Sequence, residues 1–149
     1  MNAKRLAVLA AAAFSFSVAS PVLAETEYPL VPGDYVNMSM ISVDDGHNLD
    51  YANFLASMWR KQQDFAKSQG WITGYEILSN VDKRPGEPDL YLVTHFTSTP
   101  DAAEDAKRDE AYRKFMATTD TAMEKSSGER ATYRHQMGSM LLRKLEWKK

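Results

Sequence analysis

The chain contains no cysteine, which removes disulfide frameworks, thiolate zinc sites, iron–sulfur clusters and cysteine nucleophiles in one step. It also lacks an excess of either charge. Eighteen Lys and Arg stand against 20 Asp and Glu, a formal net of −2, so there is no basic footprint of the kind that neutralises nucleic-acid phosphates. Nucleic acid is not expected as a partner. No Gly-x-Ser-x-Gly elbow, His-Glu-x-x-His pair or phosphate-cradling glycine loop occurs, and Asp44-Asp45-Gly46 lacks the alternating oxygen ligands of a calcium loop. What remains is an ordinary globular composition, 44% hydrophobic and 26% charged over 149 residues, which suits one domain.

Long apolar runs are confined to the beginning. Lys4 and Arg5 precede an alanine-rich stretch from Leu6 to about Ser20, and Val22-Leu23-Ala24 offers small or modest residues at the −3 and −1 positions of a cleavage site. Ser15, Ser17, Ser20 and Pro21 interrupt the run before it could span a hydrocarbon core of ~30 Å. Residues 1–24 therefore read as a secretory signal peptide, and the protein is expected to be exported, periplasmic or secreted, with no stable membrane anchor. Cleavage would remove two of the 18 basic groups and none of the 20 acidic ones, leaving a net charge of −4.

The remainder reads as an extended N-terminal arm over residues 25–34 and a single domain over residues 35–149. Pro29, Pro32 and Gly33 oppose regular structure in the arm. From Tyr35 to Val43 the alternation puts Val36, Met38 and Met40 on one strand face and Asn37, Ser39 and Ile41 on the other. After the Asp44-Asp45-Gly46 turn, Tyr51, Phe54, Leu55, Met58, Phe65 and Ala66 follow a helical period, with Gln62 the polar exception and Gly70 suited to a left-handed stop. Trp71 to Asn80 and Leu90 to Phe96 are strand-like segments around a Pro- and Gly-containing loop. Thr99-Pro100-Asp101 predicts a helix start, with Thr99 as the cap, a break near Arg108-Asp109 and a stop at Gly128. Arg134 to Leu145 completes the pattern as a last strand, and Lys148-Lys149 read as a solvated tail.

Strand, helix, strand, strand, helix, strand is the ferredoxin-like β-α-β-β-α-β order, an α+β fold with a four-stranded antiparallel sheet. Both parities of these strands carry Ile, Val, Tyr, Trp or Met. Helices can cover one face, so the second face is expected to meet a second copy of the chain.

This element order, together with the run Gly70-Trp71-Ile72-Thr73-Gly74-Tyr75 entering the second strand, resembles the dimeric α+β barrel superfamily. The resemblance covers about Asp34 to Trp147 and points toward proteins of the antibiotic-biosynthesis-monooxygenase type. It implies a homodimer, a cavity for a small planar or apolar ligand and, in some members, oxidation without a cofactor. Asn37 is the residue it transfers, since oxygenase-like members commonly have an asparagine on the first strand. Haem-degrading members use a histidine from the second helical region, and Ala102 to Gly128 holds none.

Among the three histidines, His95 shares strand parity with Tyr91 and Val93 and is the candidate for proton exchange; a hydrogen-bonded sheet histidine is the plainer reading. Asn37 and His95 are thus the candidate catalytic pair, with Ser39, Thr73, Tyr75 and Tyr91 as candidate ligand-binding residues. The same polar and aromatic strand residues would equally suit a dimer interface. No carboxylate is spaced with the histidines to complete a metal triad, so neither a metal nor a cofactor is expected. The functional expectation is an exported homodimer binding a small apolar or aromatic molecule; the alternative is a non-catalytic envelope module that binds another protein.

Overall fold

The computed structural model describes residues 28–149, so the expected leader and its cleavage point lie outside the described residues. The chain runs β1 (Leu30–Val43), α1 (Asn48–Phe54), a π-helical turn (Leu55–Trp59), α2 (Arg60–Ser68), β2 (Gly74–Ser79), β3 (Leu90–Phe96), α3 (Ala102–Met116), α4 (Asp120–Arg130) and β4 (Arg134–Trp147). The class is α+β. All four strands pair antiparallel in the order β2-β3-β1-β4, an arrangement compatible with ferredoxin-like architecture. Among the described residues no helix is long and apolar enough to cross a membrane.

Register decides which side chains share a face. Rows such as Ile41–Leu90–Ser79 and Ser39–Leu92–Ile77 lie on one face, and Met40–Tyr91–Leu78 and Met38–Val93–Glu76 on the other. The first face receives the helices: Ile41 and Val43 pack with Tyr51, Leu55 and Trp59, flanked by Phe54, Tyr75, Leu90, Leu92 and Tyr133. A strict four-residue interval separates Tyr51, Leu55 and Trp59, and an α-helix of 3.6 residues per turn would rotate that stripe off the sheet. The wider π turn holds it in place.

Several boundaries differ from the sequence expectation. The arm is not separate, because β1 already begins at Leu30 and pairs with the end of β4: Leu30 opposes Trp147, and Pro32 opposes Leu145. Pro32 is tolerated since β3 stops opposite Tyr35, leaving β1 with one neighbour there and no second ladder for the missing N–H. β2 is shorter than expected, Gly74–Ser79, because Trp71 turns to pack edge-on against Phe65. Asp101, not Thr99, caps α3 by accepting from the Glu104 N–H at 2.8 Å. The helix passes through Arg108-Asp109, where Arg108 Nε donates to Glu104 at 2.9 Å one turn back, and breaks instead at Ala117, φ 49°. Gly128 lies inside α4, which ends at Arg130. β4 continues past Leu145 to Trp147.

The expected pair of helices over the sheet is uneven. Every buried helical side chain comes from residues 48–68, whereas α3 and α4 bury none and lean on that first helix through Phe65–Phe115 stacking at 4.1 Å and Arg130 over Phe54 at 4.1 Å.

Candidate functional site

Between the first helix and the β2–β3 side of the sheet lies a cavity of about 590 Å³. Its walls are apolar: Tyr51, Leu55 and Trp59 on the helix face Val43, Leu90 and Ile77 on the strands. Ala52 and Ala56, one turn apart, leave the room that longer side chains would fill. Polar groups gather at the mouth, where Asn48, Arg60 and Tyr75 contribute to the lining, while the register turns the neighbouring Glu76 side chain to the opposite sheet face, toward His95. A volume within the range of small-molecule sites, apolar walls and a few directed polar groups are the ingredients of a ligand pocket.

The mouth is held by a short chain of contacts. Tyr75 hydroxyl donates to the Asp64 carboxylate, and Arg60 Nε stands 3.7 Å from the same group. The carboxylate acceptor raises the Tyr75 hydroxyl pKa, and burial adds to it, so the phenol stays protonated. Trp59 meets Tyr75 edge to face, centroids 5.3 Å apart at 86°, which fixes both rings along the cavity wall. At the floor Tyr51 is 2% exposed; burial raises its pKa, with Arg134 and Arg130 pulling the other way.

The six candidate residues do not converge. Asn37, exposed, sits in the row Leu141–Asn37–Thr94–Tyr75 on the helix-side face, and Ser39 lies opposite Leu92 and Ser139 on the same face. Tyr91 and His95 belong to the other face, as their parity indicated. Thr73 is exposed, and its N–H donates to the His95 carbonyl at 2.7 Å, extending the ladder one residue before β2. Of the six, only Tyr75 lines the cavity, and Asn37 and His95 are on opposite sides of the sheet.

Each histidine meets its own carboxylate: His95 Nε2 lies 3.1 Å from Glu76, His135 Nε2 2.9 Å from Asp44, and His47 Nδ1 2.9 Å from Asp50. Among the described residues no three His, Asp or Glu side chains form a metal-ligand group.

Sequence reasoning missed the helical wall of the cavity. Tyr51 and Leu55 read as core, and Ala52, Ala56 and Trp59 carried no signal as lining residues. The available clue was the four-residue spacing of Tyr51, Leu55 and Trp59 beside two alanines, which together describe a π-widened helix with space next to it.

No protein-family model matches the chain, and neither a curated protein nor a solved structure shows significant similarity to it.

Proposed function

We propose that the protein is an exported homodimer that binds a small apolar or aromatic molecule in the cavity beside the π turn. The observation that carries this reading is the combination at one place of a π-helical wall, aromatic walls from Tyr51, Trp59 and Tyr75, and polar groups from Asn48 and Arg60. π turns recur at functional sites because the departure from regular helix costs hydrogen-bond geometry. Binding rather than oxidation is the activity these features support, since neither Asn37 nor His95 belongs to the lining.

Export is supported by the Lys4-Arg5, apolar and Val22-Leu23-Ala24 sequence at the start. Pairing, in a ferredoxin-like assembly with two sheets face to face, is supported by the face opposite the helices. Val36, Met38, Met40, Tyr91, Val93 and Leu142 make it apolar, and the core that joins helices to sheet lies on the other side. The β1–β4 ribbon adds to this: beyond Tyr35 it projects past β3 with Leu145 and Trp147 exposed on one face and Val31 on the other. A two-stranded ribbon with apolar side chains on both faces gains from a partner.

Native mass spectrometry of protein from the exported fraction, mixed with the neutral aromatic probe N-phenyl-naphthylamine, tests the reading. The expected species is a dimer of chains beginning at Glu25, each carrying one probe. A monomer that retains its first 24 residues and takes up no probe would overturn it.

A further inference from the structure

A second cavity, of about 400 Å³, lies away from the sheet, enclosed by the first helix, α3 and α4. Its lining comes from regular helical stripes: Phe54 and Met58 on the first helix, Tyr112 and Met116 on α3, Met123 and Arg130 on α4. Three methionines give it a soft, adaptable apolar wall, beside the polar Gln62, Thr118 and Ser126.

One residue there has no hydrogen-bonded counter-ion among the described residues. Arg130 makes no side-chain hydrogen bond or ion pair among the described residues, and its Nε is buried without an acceptor. Its guanidinium carbon lies over Phe54, 4.1 Å from the ring centroid, a contact that satisfies no N–H donor. Its acidic sequence neighbour Glu129 does not reach it as an ion pair, and Arg134 adds a like charge nearby. The Tyr112 hydroxyl, on the same cavity and within the field of Arg130, also lacks a hydrogen-bond partner among the described residues. Burial, then the Arg134 charge, lowers the Arg130 pKa, against smaller opposing interactions with Tyr133, Tyr51 and Glu129.

We propose that this cavity is a binding site for an apolar monocarboxylate, whose carboxylate is taken by Arg130 and the Tyr112 hydroxyl and whose hydrocarbon body lies along Met58, Met116 and Met123. A planar guanidinium fork matches a carboxylate in two parallel hydrogen bonds. Among the described residues Arg130 is the one cation on the lining, and it compensates one negative charge. This site is separate from the cavity beside the π turn, and its occupant differs in needing a charged head.

Isothermal titration calorimetry with octanoate and n-octanol, equal in chain length and different in charge, tests the proposal. Octanoate is expected to saturate one site per chain, with n-octanol weaker by about tenfold or more, the scale of a charge-assisted hydrogen bond. Arg130→Gln should bring octanoate down to the level of n-octanol and leave n-octanol unchanged. Ala122→Phe, which fills this cavity from an exposed position, should abolish both, while Ala52→Phe, which fills the other, should abolish neither. Equal affinity for the two probes in the unaltered protein, no saturable octanoate binding, or octanoate binding lost in Ala52→Phe but kept in Ala122→Phe would each overturn it. The comparison of probes on the unaltered protein stands even if Arg130→Gln does not fold.

Discussion

Asp89 ties the loop before β3 to the end of β1. Its carboxylate accepts from the Val43 N–H at 2.9 Å, from the Ser42 hydroxyl at 3.0 Å and from Lys83 Nζ at 2.7 Å, and its own N–H donates to the Ile41 carbonyl at 2.8 Å. Burial works against ionisation, but the Lys83, Val43 and Ser42 donors outweigh it and hold the pKa below the ordinary carboxylate value. A depressed carboxylate stabilises the fold above its unfolded pKa, and that contribution disappears as pH falls through the lower, folded value. Asp89→Ala should therefore cost about 1–3 kcal/mol at neutral pH, with a smaller deficit in acid, as measured by urea unfolding at both pH values. An unchanged stability at neutral pH would show that the three donors find water equally well.

Among the elements, the helical pair α3–α4 shows how far local signals reach. Asp101 is the working cap, so Asp101→Ala should lose about 0.5–2 kcal/mol of stability while Thr99→Ala changes little. The reverse ranking would restore the start predicted from the sequence. Between the two helices Ala117 is held at φ 49°, ψ 47°, a left-handed conformation that crowds its Cβ. Ala117→Gly should raise the melting temperature, with a gain of up to about 1 kcal/mol after glycine's extra unfolded-state entropy is subtracted. A lowered melting temperature would mean that the turn carries no strain.

The same elements show what was readable beforehand. Alternation in YVNMSMISV and LYLVTHF was strong because each strand presents one face to a helix-covered core, and those segments emerge as β1 and β3 with the expected faces. The first helix and its stop at Gly70, φ 72°, were legible for the same reason. The break at Ala117 was not, because neither glycine nor proline marks it. The strand nature of Leu30–Pro32 was hidden by Pro32, whose tolerance depends on the absence of β3 at that level, a fact of register. Of the candidate residues, chosen from strands for their polar groups, only Tyr75 lines the cavity; the strands' other contributions to its wall, Val43, Ile77 and Leu90, are apolar, and the opposite wall is helical.

For the molecule as a whole, both the proposed pairing and the proposed pocket come from the way one sheet divides its surfaces. Leu142 sits on the face opposite the helices and is exposed in the single chain, so Leu142→Asp adds a charge without touching the core around Ile41 and Tyr51. In light scattering after gel filtration the unaltered protein should run as a dimer and Leu142→Asp as a folded monomer; a folded dimer in both would place the contact elsewhere.

The most direct measurement of the central claim is a fluorescence titration of N-phenyl-naphthylamine, read by energy transfer from Trp59 in the cavity wall. Saturable transfer at one probe per chain, lost in Ala52→Phe, reduced in Trp59→Phe where Trp71 and Trp147 remain as donors, and retained in Ala122→Phe, is the predicted result. Transfer that never saturates, or that survives Ala52→Phe unchanged, would contradict the assignment of the space beside the π turn as the ligand site.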